Sequence, residues 1–128
     1  MTESANLKKL AISKSTGEKI LATVPYDKGF HFFTSVGKYT GETAISLATF
    51  AREVEFVPVE SLDFHFRRGD FQKWIAETIG DAELATKVGH IEKGLSGDRL
   101  RRQIVKIVNK HVNEVNSQVL CAKDPPSK

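Results

Sequence analysis

Helix breakers divide the second half of this chain into short lengths, and that division limits the folds open to it. Pro58, Gly69, Gly80 and the stretch Gly94 to Gly97 punctuate segments whose apolar residues recur at helical spacing. Proline pushes the residue before it out of helical dihedrals, and glycine just past a helix favours its termination. Leu47, Phe50, Ala51 and Val54 stand at i, i+3, i+4 and i+7, with Thr40 read as the N-cap ahead of them. Phe71, Trp74, Ile75 and Ile79 make another stripe, opened by Asp70 and stopped by Gly80. Asp81 caps a short helix holding Leu84, Ala85 and Val88, and Asp98 opens the longest helix, with Leu100, Ile104, Ile107, Val108 and Val115 on one face.

Residues 61–68 fit two periodicities. As a helix, Ser61 is the cap, Leu62 and Phe66 share a face, and Asp63 and Arg67 form an i, i+4 ion pair. As a half-buried strand, Leu62, Phe64 and Phe66 alternate with polar residues. The helix is preferred because Gly69 then falls at C′ and Asp70 caps the next helix. Nearer the N-terminus, Lys9 to Ser13 and Lys19 to Val24 read as two strands joined by Lys14 to Glu18. Gly29 to Phe33 alternates and then breaks, as either a third short strand or an aromatic entry into the first helix.

The expectation is a mostly α (α+β) domain, a compact bundle of four or five helices with an N-terminal β-hairpin. The hairpin takes residues 8–24 and the helical part 30–120 of one domain over 8–120, between flexible ends at 1–7 and 121–128. A chain of 128 residues supports one such core, and 40% hydrophobic with 27% charged residues is ordinary globular usage. The expected core includes Phe30, Phe32, Leu47, Phe50, Leu62, Phe66, Phe71, Trp74, Ile75, Leu84, Ile104 and Val108. No run approaches the roughly 20 apolar residues of a membrane-spanning helix. With a polar N-terminus and the single Cys121, the reading is a cytoplasmic protein without membrane association.

Chemistry concentrates between Ser61 and Trp74. His65, Arg67, Arg68 and Asp70, flanked by Asp63, Phe64, Phe66, Phe71 and Trp74, mix groups that bind phosphate or exchange protons. The same residues also serve as caps, a turn and a core stripe, and only geometry promotes a histidine to catalyst. His31, His65, His90 and His111 lack metal-ligand spacing, so neither a metal nor another cofactor is expected. Ser35 to Gly41 leads toward a helix yet lacks the Walker pattern, and no nucleophile elbow occurs.

The net charge is +3, and residues 99–111 carry Arg99, Arg101, Arg102, Lys106, Lys110 and His111 with no acid among them. Asp81 to Arg102 loosely fits a helix-turn-helix, although His90 and Asp98 fall where apolar packing residues belong. The favoured reading is a non-catalytic binding or regulatory module acting through the basic C-terminal helix on nucleic acid or an acidic protein partner. The second is a small-ligand, anion-binding or enzymatic site around His65, Arg67, Arg68 and Asp70, joined by His31. Homo-oligomerisation is compatible with either.

The succession Phe30-His-Phe-Phe33, Ala44-Ile-Ser-Leu47, Ser61-Leu-Asp-Phe-His65, Asp70-Phe-Gln-Lys-Trp-Ile75, Gly80-Asp81 with Leu84-Ala85, and Leu100-Arg101 resembles an uncharacterised family of archaeal and bacterial proteins and domains, over about residues 30–115. Its most specific part is Ser-Leu-x-Phe-His followed by Asp-Phe-x-x-Trp-Ile. The resemblance implies no activity and no site roles.

Overall fold

The computed structural model describes residues 14–123. Helix α1 (Lys14–Leu21) leads through a short 3-10 turn at Tyr26–Lys28 into an antiparallel hairpin, β1 (Phe30–Ser35) and β2 (Lys38–Ala44). Then follow α2 (Leu47–Phe56), α3 (Val59–Arg68) and α4 (Asp70–Trp74), which widens into a π-helical turn at Ile75–Ile79. Helices α5 (Ala82–Gly89) and α6 (Gly97–Lys123) complete the described chain. The mostly α architecture with a two-stranded hairpin is therefore the observed one, with six α-helices among the described residues.

Local chemistry explains the boundaries. Ser46 and Thr49 form a reciprocal capping box at the start of α2, each side chain accepting a backbone N–H of the other. Val36 and Gly37 make the two-residue hairpin turn, and Gly37 takes φ +78°, a conformation glycine adopts without steric cost. Gly69, at φ +75°, ends α3 and turns the chain directly into α4. The Asp81 carboxylate accepts the Leu84 N–H and caps α5.

The core is an aromatic cluster under the hairpin, extended by an aliphatic layer along α6. Phe30 has ring centroids 4.8 Å from Phe32, 5.1 Å from Phe71 and 5.7 Å from Phe50 and Trp74, within the range where tilted aromatic pairs attract. Leu100, Ile104, Val108 and Val115 bury one face of α6, which packs chiefly against α1, α2 and α3. Every expected core residue is buried except Phe66, which is half-buried at the cluster's edge.

Several local expectations give way to tertiary contacts. The hairpin lies at residues 30–44, not 8–24. Lys14–Leu21 is helical, burying Ile20 against the core, while the first expected strand, Lys9 to Ser13, lies outside the described residues. Thr40 belongs to β2, so Ser46 and not Thr40 caps α2. Ser35 to Gly41 accordingly spans the end of β1, the turn and the start of β2, with no helix N-terminus to attract an anion. Residues 61–68 are helical, but α3 starts at Val59 behind Pro58, and Ser61 is fully buried inside it with its hydroxyl unpartnered. Asp63 does not pair with Arg67: its Oδ1 accepts the Gly97 N–H at 3.0 Å and ties α3 to the start of α6.

His111, expected on the basic surface, is only 2% exposed and meets Asp81 across the α5–α6 contact, with Nε2 2.6 Å from Asp81 Oδ2. The Lys87 ammonium lies 3.3 Å from His111 Nδ1 and also faces Glu83 and Glu114. Since an ammonium only donates, this arrangement puts the imidazole proton on Nε2, where it donates to Asp81. Two carboxylate oxygens thus satisfy a helix end and a buried imidazole together. Removing one member of such a pair strands the other in a dry interior. Asp81→Ala, which removes a helix cap and leaves the imidazole N–H unpaired, should cost about 2–4 kcal/mol in urea unfolding, and a loss below about 1 kcal/mol would show that the pair does not hold α5 to α6.

Candidate functional site

The hairpin and the α3–α4 corner enclose a cleft of about 460 Å³. Phe33 and Phe64 form apolar walls, Trp74 and Phe30 the floor, and His31, Arg68 and Lys73 bring polar groups to it. Glu77 and Thr78, on the π-helical turn, line it as well. A π-helical turn adds a residue to the helical circuit and displaces the side chains after it, a device common near binding sites.

His65 and Asp70 form the frame of this cleft. The Phe33 N–H donates to His65 Nε2 at 2.8 Å. A backbone amide can only donate, so Nε2 is the bare nitrogen and the proton sits on Nδ1, which donates to Asp70 Oδ2 at 2.8 Å. The ring is 5% exposed and surrounded by Phe30, Phe32, Phe33, Phe64 and Phe71. Burial holds its pKa below the usual 6.5, against the opposing pull of Asp70. Both nitrogens are occupied, which removes the lone pair a general base needs.

Asp70 is shared. Its Oδ2 also takes Arg68 Nε at 3.2 Å, while the Arg68 guanidinium lies 4.9 Å from the centroid of the Phe64 ring. Asp70 therefore does not act as a side-chain cap for α4. The carboxylate instead holds the imidazole and orients the guanidinium along the cleft wall. Across the cleft, His31 Nδ1 is hydrogen-bonded to Thr43 Oγ1 at 2.8 Å, and its ring packs edge-on against Tyr26 and Tyr39. The Trp74 indole N–H donates to the Lys28 carbonyl at 2.9 Å and pins the floor to the turn before β1.

The four residues of the expected patch therefore separate. His65, Arg68 and Asp70 meet in one cleft with His31, whereas Arg67 lies on the far side of the corner, beside Gln72, Gly89 and Lys93. Lys73 joins the cleft without having stood out in the sequence, as one lysine on an amphipathic helix carries no distinguishing signal. Phe33 was ambiguous because its strand is too short for a period to show.

On α6, Arg99, Arg102, Lys106 and Lys110 are all exposed. At 100° per residue they form one stripe roughly opposite the buried Ile104 and Val108. Arg101 points elsewhere: its Nη1 donates to the Val54 and Val57 carbonyls, 2.9 Å from each, so it closes the C-terminal end of α2. Among the described residues no three histidine, cysteine, aspartate or glutamate side chains converge as metal ligands, and no helix is long and apolar enough to cross a membrane.

The model of a family of unknown function (DUF5752) matches residues 28–126, from the turn before the hairpin onward. No curated protein and no solved structure matches the chain.

The depressed histidine makes a pH prediction. Below pH 6.5 the unfolded chain takes up a proton that folded His65 refuses, so the stability present above pH 6.5 is lost as pH falls toward the folded pKa. Asp81, whose pKa is held below 3.8 by His111 and the Leu84 N–H despite its burial, adds its loss only in a more acidic window. Urea midpoints of the protein and of His65→Leu should separate these windows. The variant should be less stable throughout and should lack the slope just below pH 6.5, and an unchanged slope would assign that titration elsewhere.

Proposed function

Since the chain belongs to DUF5752, a family of unknown function, we propose from its geometry that it is a non-catalytic ligand-binding module. Its ligand is a small molecule, or one group of a larger one, with an apolar body and an anionic substituent. The observation that carries this reading is the cleft of about 460 Å³, with aromatic walls and Arg68 and Lys73 beside them, in which His65 and Asp70 are already committed to each other. Concave, mostly apolar pockets with a few convergent polar groups are the usual form of small-molecule sites. Arg68 has its Nε on Asp70 and its ring contact with Phe64, which leaves the outer nitrogens of its fork for a ligand.

The only tryptophan, Trp74, lines this cleft and reports on its occupancy. Anilinonaphthalene sulfonate, an aromatic body with one anionic group, should bind saturably and accept energy from Trp74. Its uncharged parent amine should bind more weakly. Phe64→Ala and Lys73→Gln, both at partly or fully exposed positions, should each weaken sulfonate binding by about threefold to tenfold without unfolding the protein. Equal affinity in both variants would reject the cleft as the site.

A second reading, action on nucleic acid or an acidic protein partner, is supported by the acid-free stripe of Arg99, Arg102, Lys106 and Lys110. The stripe runs for about 16 Å along α6. Arg101 is outside it because its guanidinium is used within the fold. For nucleic acid, affinity should fall steeply with salt, and Arg102→Gln or Lys106→Gln should lower the slope by about one phosphate contact each. Absent or salt-independent binding to duplex and single strands would reject the nucleic-acid form of this reading.

A further inference from the structure

Arg67 and Arg68 end α3 side by side, and the corner at Gly69 sends them toward a second hollow of about 330 Å³, distinct from the aromatic cleft. Its polar lining is Arg67, Arg68, Gln72 and Lys93, with Gly69 and Gly89 among the lining residues. These side chains come from α3, α4 and the segment after α5, so the grouping exists only in the folded chain. Three cations line the hollow and no carboxylate does. The aromatic cleft differs, since Asp70 and Glu77 line it alongside Arg68 and Lys73.

Like charges gathered in a concavity reinforce one another's potential and raise the local concentration of counter-ions. Neither Arg67 nor Lys93 has a carboxylate within ion-pair distance among the described residues. Gln72 adds an amide to the lining. Its Oε1 is buried without a partner, while its Nε2 lies 3.5 Å from where a Cβ would stand on Gly89 and 3.9 Å from the same point on Gly69. The side chain thus lies against the two glycines at the edge of the hollow. Planar guanidinium forks, an ammonium and an amide N–H together match the oxygens of a tetrahedral dianion.

We propose that the hollow between the α3–α4 corner and the end of α5 binds a phosphate group, either free inorganic phosphate or the phosphoryl end of a small phosphomonoester. Arg67 and Lys93 supply the charge that no protein acid neutralises. Arg68, which lines both concavities, is the wall between this site and the aromatic cleft.

The test is a titration of isotopically labelled protein with inorganic phosphate and, separately, with phenyl phosphate, followed by amide resonances. The backbone N–H groups of Gly69 and Gly89 and the side-chain amide of Gln72 should shift saturably. Arg67→Gln and Lys93→Gln, both at exposed positions, should each weaken the interaction by about tenfold and leave anilinonaphthalene sulfonate binding unchanged. Tighter binding of phenyl phosphate, read at these three residues and lowered by either substitution, identifies an ester as the source, and tighter binding of inorganic phosphate on the same criteria identifies the free anion. Either result supports the site. Resonances that do not move with either probe, or affinities that neither substitution lowers, overturn it without bearing on the cleft, which neither residue lines.

Discussion

One imidazole joins the two halves of this fold. His65 accepts the Phe33 N–H of the hairpin and donates to Asp70 at the start of α4, so strand and helical corner are fixed to each other through a neutral ring. A protonated ring would set an N–H against the strand's N–H, and the surrounding phenylalanines offer no water to relieve it. Neutrality is therefore a condition of the architecture. With the aromatic cluster beneath the hairpin, this contact holds β1 against the α3–α4 corner that lines the cleft.

The fold uses charged groups in the same economical manner elsewhere. Asp70 serves His65 and Arg68, Asp81 serves His111 and the α5 N-terminus, and Arg101 serves two carbonyls at the end of α2. Each of these joins elements that are distant or newly turned, and each is satisfied on more than one side, which is what makes burial of a polar group tolerable. The cations outside these arrangements are therefore informative. Arg67 and Lys93 at the second hollow, Lys73 at the cleft and the outer stripe of α6 face solvent without such duties, and these are the surfaces where binding is proposed.

Much of the frame was legible before any contact was known. Gly69 and Gly80 end helices, Asp81 caps one, and the apolar stripes named the buried residues, with Phe66 and Ile107 only half-buried. The failures share a cause. Thr40 and Ser46 are both acceptable caps in isolation, and only the reach of β2 decides between them. Residues 9–24 carry enough apolar and turn residues to imitate a hairpin, yet Ile20 finds its burial from a helix while the Phe30 and Phe32 side chains fill the centre.

The candidate site was partly visible and partly not. Residue types and spacing named His65, Arg67, Arg68 and Asp70 because chemical variety within a short span can be read directly. Their division into a hydrogen-bonded frame, a cleft and a separate cationic hollow depends on which way the chain turns at Gly69 and on what arrives from elsewhere. Phe33 and Lys93 are decisive neighbours, and each lies more than twenty residues away along the chain. By itself the sequence determined the helical periods, the breakers and the sign of the charge on α6, since these depend on nearest neighbours. Only the tertiary structure decided that His65 is a neutral link and that Arg101 and His111 are internal, because hydrogen-bond partners distant in sequence are chosen by packing.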